Sequence, residues 1–106
     1  MAKKIIEEHL KDENGVPTGG LTTGVGLNIQ WQNGPLGRGA ERIGANGAQV
    51  EDVLQAAIGR LQHFQSSKFN CRENAVALTH LETAVLWLQK RSADREERGV
   101  EGTYQK

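Results

Sequence analysis

Residues 50–64 read VEDVLQAAIGRLQHF, and residues 70–99 read NCRENAVALTHLETAVLWLQKRSADREERG. In the first stretch Val50, Val53, Leu54, Ala57, Ile58, Leu61 and Phe64 recur at the i, i+3, i+4 spacing of one helical stripe. Glu51 and Asp52 fall in its first turn, where the positive end of the helix dipole favours acids. This predicts a helix from about 49 to 65. In the second stretch Asn70, followed three residues later by Glu73, resembles a capping box with Asn as the cap. Val76, Leu78, Leu81, Val85 and Leu88 then run along one face of a helix that should reach about Glu97 and stop at Gly99, a position suited to a left-handed cap.

Ahead of these helices the composition changes. Ten of the 13 glycines lie between Gly15 and Gly47, a density that suits turns and strands rather than helix. Val25, Leu27, Ile29 and Trp31 alternate with Gly26, Asn28, Gln30 and Gln32, the period of a strand with one buried face, so a strand is expected over 25–32, with Asn33-Gly34 as a turn after it. Residues 35–47 suit a second short strand or an irregular return beside the first. Ile5, Ile6 and Leu10 fit a short helix or a strand equally. Residues 11–24 read as a flexible connection. The expected fold class is α+β: a small N-terminal antiparallel sheet followed by two α-helices that dimerise. The expected organisation is a flexible or divergent segment over 1–24 and one α+β ligand-binding domain over 25–106.

The 106 residues carry 13 basic and 13 acidic side chains and are 37% hydrophobic, which describes one small domain with room for one core. A balanced charge argues against capture of a DNA or RNA duplex or of an anionic membrane. Apolar runs are too short for a transmembrane span or a secretory signal, so a cytoplasmic chain is expected. One cysteine, Cys71, excludes an intrachain disulfide and reads as a buried or inert thiol.

Lys90, Arg91, Arg95 and Arg98 crowd into nine residues with Asp94, Glu96 and Glu97. Arginine forks at this spacing suit an anion clamp, although a solvated helix end with intrahelical ion pairs is the more ordinary reading of such a pattern. Phe64 ends the first stripe as core or as a ring free to stack on a base. Asn74, in the first turn of the second helix, offers an amide to a ligand or to water. The glycine-rich run 34–47 exposes backbone amides beside Arg38 and Arg42, a candidate second anion site or a surface loop. His9, His63 and His80 have no metal-ligand spacing, and no nucleophile and base fall within reach of each other, so neither a metal nor a catalytic set is expected.

QNGP at 32–35, Asn46-Gly47 leading into EDVL at 51–54, RLQHFQ at 60–65, CREN at 71–74 and above all RSADR at 91–95 with RGVEGT at 98–103 resemble the first Thoeris anti-defence family, phage-encoded sponge proteins. The resemblance covers roughly residues 27–105. It implies sequestration without catalysis and without a cofactor. The ligands it implies are cyclic ADP-ribose isomers, especially glycocyclic ADP-ribose, captured in the cytoplasm of the infected bacterium. It further implies hexamers built from dimers, and separate sites for the cyclic dinucleotides or trinucleotides of CBASS defence. By position in the shared motifs it assigns Phe64 as the stacking ring, Asn74 as a polar contact, Arg91 and Arg95 as phosphate clamps and Thr103 as a further contact. Helix geometry adds a constraint: Asn74 and Arg91 are 17 positions apart, about 25 Å along one helix, so one small ligand reaches both only if two second helices pack antiparallel across a twofold axis. The competing reading is a small helical protein–protein interaction module with no nucleotide ligand.

Overall fold

The computed structural model of the chain describes residues 4–106. Three strands, β1 (Ile6–Lys11), β2 (Pro17–Gly24) and β3 (Leu27–Trp31), precede a 3₁₀ turn at Gly39–Glu41 and two helices, α1 (Val50–Gln65) and α2 (Arg72–Glu97). The fold is α+β, with an antiparallel sheet in the order β1-β2-β3. The chain forms two compact units. One compact unit holds the sheet, the chain as far as Gln49 and the C-terminal segment Val100–Lys106; the other is the helical hairpin Val50–Gly99.

Residues 11–24, expected to be a flexible connection, instead complete a hairpin in which β1 pairs with β2 from Ile6↔Thr23 to Lys11↔Pro17. The turn between them is specified by polar residues, which periodicity does not register. The Asp12 carboxylate accepts the N–H groups of Asn14 at 2.8 Å and Val16 at 3.0 Å, and Gly15 takes a φ of 78°, the geometry of an Asx-type turn. Val25 is not in a strand as expected: Val25-Gly26 is the two-residue turn between the paired Gly24 and Leu27, with Gly26 at φ 76°.

Thr22 and Ile29 are register partners on one face of the sheet, which Trp31 shares. The Trp31 indole N–H donates to the Thr22 hydroxyl at 2.8 Å, and Thr22 is buried. On its other side β3 is bridged by Ala48, whose carbonyl accepts from Gln32 N–H at 2.8 Å and whose N–H donates to the Gln30 carbonyl at 2.7 Å. Residues 35–47 are thus the irregular return of the two alternatives. The Asn46 side chain closes the neck of that loop, accepting from Asn33 N–H at 2.8 Å and donating to the Asn33 carbonyl at 3.0 Å.

In the hairpin α1 packs against α2, and the stripes that the sequence marks are buried or half-buried except at Val50, Ala57 and Val76, which are exposed. Ile58 and Val85 are the buried apolar residues among those described, while Val53, Leu54, Leu61, Leu78, Leu81 and Leu88 are half-buried. The capping box does not form. Cys71 is the N-cap of α2, without a side-chain cap bond, and Asn70 turns back to donate to the Ser67 carbonyl at 2.9 Å. At the other end Gly99 adopts φ 74° and donates to the Glu96 carbonyl at 3.0 Å, the expected left-handed stop.

Candidate functional site

The turn of the hairpin brings Phe64 and Asn74 to one end. Phe64 occupies the last turn of α1, half-buried, and its backbone is pinned: its carbonyl accepts from the Ser67 hydroxyl at 2.6 Å and from Ser67 N–H at 3.0 Å. The Gln65 amide ties the two helices together here, donating to the Cys71 carbonyl at 3.1 Å and accepting from Cys71 N–H at 2.9 Å. One side chain thereby satisfies the backbone N–H and carbonyl of Cys71, the residue at the N-cap of α2. Asn74 follows in the first turn of α2, half-buried, so its surroundings are less open than a solvated amide's. Cys71 is exposed rather than buried.

Arg91 and Arg95 lie towards the far end of the same unbroken helix. The 17 positions between Asn74 and Arg91 correspond to about 25 Å along the axis, so one chain does not bring its ring and amide to its own arginines. The arginines also differ in setting. Arg95 is buried, at 9% exposure, whereas Arg91 and Arg98 are exposed. Arg91 lines a depression of about 210 Å³ with Trp87, Lys90, Asp94 and Arg98. Asp94 pairs with Lys90 at 3.0 Å, the intrahelical ion pair that the charge pattern allows; both partners are exposed, so it contributes little.

Thr103 and the arginines of the second candidate site belong to the sheet unit. Arg38 donates to the Glu101 carbonyl at 2.8 Å, and Arg42 forms an ion pair with the Glu101 carboxylate at 2.7 Å and donates to the Gly37 carbonyl at 3.3 Å. Gly37 N–H donates to the Gly102 carbonyl at 2.8 Å. Arg38 and Arg42 therefore bind the C-terminal tail to the glycine-rich loop. Thr103 sits just beyond, its hydroxyl donating to the Val100 carbonyl at 2.5 Å.

Three residues near the candidate positions were not singled out as site residues by the sequence reading. The Arg60 guanidinium lies over the Phe64 ring, 4.8 Å from its centroid. Gln65 fixes the turn, and Trp87, 66% exposed, lines the Arg91 depression. The Arg60–Phe64 and Trp87–Arg91 pairs each carry the i, i+4 spacing that makes helical neighbours, which is the signal that finds them. Among the described residues no cluster of His, Cys, Asp and Glu is placed to hold a metal ion, and no helix is long and apolar enough to cross a membrane.

With this geometry in place, the comparisons with known proteins bear on the same segment. The family profile described as "Acb2/Tad1, hairpin domain" matches residues 24–93. That range contains β3, α1 and most of α2, and with them Phe64, Asn74 and Arg91; Arg95 and Thr103 lie past its end. A curated protein of Bacillus phage SBSphiJ7, "Thoeris anti-defense 1", is 54% identical over 78 residues, which cover 74% of this chain and 52% of that protein. The chain spans about half the length of the curated relative it matches.

Proposed function

The chain belongs to the Acb2/Tad1 hairpin-domain family, and from that premise we propose that it is a phage Thoeris anti-defence protein that binds cyclic ADP-ribose isomers, glycocyclic ADP-ribose among them, and withholds them without degrading them. The observation that carries this reading is the division of the matched hairpin: Phe64 and Asn74 at one end of it, Arg91 towards the other, on an unbroken α2. Two copies with α2 antiparallel across a twofold axis bring the ring and amide of one beside Arg91 and Arg95 of the other, making two equivalent pockets. A stacked ring, an amide and two guanidinium forks on a diphosphate are suited to the roughly 12 kcal/mol that nanomolar binding requires. Thr103 is an additional contact in this reading. None of these groups is a general base, so a captured signal should be held intact in the cytoplasm of the infected cell.

The same reading extends to cyclic dinucleotides or trinucleotides of CBASS defence at a separate site on Arg38 and Arg42, in a hexamer made of three dimers. There the Glu101 carboxylate already occupies Arg42, so a phosphate has to share or displace it. A second reading, a protein-docking module, draws on the exposed Leu86 and Trp87 of α2; the proposed dimer would account for part of that surface. The test is to incubate excess glycocyclic ADP-ribose with the protein, denature it and chromatograph what is released. Release of about one unaltered molecule per chain supports sequestration. Several equivalents of a cleaved product per chain indicate an enzyme, and no retained nucleotide with no thermal stabilisation supports the docking module.

A further inference from the structure

Phe64 does not stand alone at the end of α1. Arg60, one turn earlier, holds its guanidinium 4.8 Å from the Phe64 ring centroid and so covers one face of the ring. The His63 ring is tilted by 56° to it at 5.9 Å. The Phe64 backbone is pinned through Ser67, which leaves the side-chain torsions as the remaining freedom of the ring. A cation seated on one face restricts those torsions and draws on the π density, which improves the opposite face as a partner for an electron-rich purine. Arg60 is exposed and has no carboxylate partner among the described ion pairs, so its contact with the ring is not a by-product of a salt bridge.

We infer that Arg60 is a positioning residue for base recognition: it fixes the Phe64 ring so that a purine stacks on the face that the guanidinium leaves uncovered. The inference rests on the proposed reading of the hairpin as a nucleotide site and deepens it. Arg60 acts through the ring, so its effect should vanish when the ring is gone.

The experiment is a double-mutant cycle on binding of glycocyclic ADP-ribose, read by calorimetry, with Arg60→Leu, Phe64→Leu and the double variant, and with Arg60→Lys as the conservative control. Leu keeps the aliphatic bulk of the Arg60 stem and an apolar side chain at position 64, and thermal melts identify any variant that is merely unfolded. Arg60→Leu should weaken binding about three- to fivefold in the parent background, the scale of an exposed cation–π contact, and have no further effect when Phe64 is already Leu. Arg60→Lys should recover binding to within about twofold, since an ammonium also sits on a ring face. Unchanged affinity in Arg60→Leu, or a loss just as large without the Phe64 ring, overturns the positioning role alone. A parent protein that binds no cyclic ADP-ribose isomer overturns the reading of the site, and Arg60's role with it.

Discussion

The two units of this chain are held by different physics. In the sheet unit no large apolar side chain among the described residues is buried; its buried positions are Gly19, Gly20 and Thr22, and backbone ladders, the Asn46 staple and the Arg42–Glu101 ion pair tie it together. The hairpin is the reverse, a side-chain assembly centred on Ile58 and Val85 with an amide bracket at its turn. Glycine makes the contrast concrete. At Gly20 a Cβ would collide with the Glu8 carbonyl oxygen, and at Gly47 it would stand 2.5 Å from the Trp31 carbonyl carbon and oxygen, whereas at Gly59, inside α1, it would meet nothing within 4 Å. The same residue type is obligatory in one unit and dispensable in the other.

Substitutions that break or sharpen this contrast differ in size. The largest effect should come from Ile58→Ala, which removes half of the hairpin's buried apolar pair and should cost about 3 kcal/mol; thermal or denaturant melts of α-helical circular dichroism measure it. Gly47→Ala should follow at about 2–3 kcal/mol, because the atoms it meets are main chain and cannot swing aside. Its signature should be loss of the Trp31 environment in near-ultraviolet spectra. Arg91→Ala and Arg95→Ala should each weaken nucleotide binding at least tenfold, about 1.4 kcal/mol. They should separate in stability: exposed Arg91 is expected to shift the melt by less than about 0.5 kcal/mol, and buried Arg95 by about 1–3 kcal/mol. One change is favourable: Gly59→Ala should stabilise by about 1 kcal/mol, since it fills open space in a helix interior.

What was legible in the sequence follows the same division. Both helices, their bounds within a few residues, and the Gly99 stop could be read because an apolar stripe repeats every 3.6 residues. The β1–β2 hairpin escaped that method. Ile6, Glu8 and Leu10 do alternate with Glu7 and His9, yet every residue of β1 is exposed, so the pattern marks no buried face. Its turn is written in Asp12, Asn14 and Gly15 instead. The capping box failed for a related reason: the N–H and side-chain amide of Asn70 both turn back to the Ser67 carbonyl and the N-cap falls at Cys71, whose N–H is taken by Gln65, six residues away across the turn. Phe64, Asn74 and Arg91 were assigned by resemblance, and helix arithmetic places Arg91 too far along α2 to meet Asn74 in one chain. Arg38 and Arg42 read as a candidate anion site from their place beside the glycine-rich loop; that Arg38 meets the Glu101 carbonyl and Arg42 the Glu101 carboxylate, 63 and 59 positions on, was not legible.

The proposed composite pocket, which would borrow its arginines from a second copy, makes a demand no single-chain pocket makes. Phe64→Ala and Arg91→Ala each damage every pocket of their own dimer, but in a mixed dimer one pocket carries both lesions and the other carries neither. The measurement is calorimetric titration of glycocyclic ADP-ribose into the two variants separately and then into an equimolar mixture allowed to exchange subunits. The account predicts weak binding by each variant alone and parental affinity at a fraction of the sites in the mixture, about one intact pocket per mixed dimer. A mixture that binds no better than its components, although subunit exchange has occurred, would contradict it.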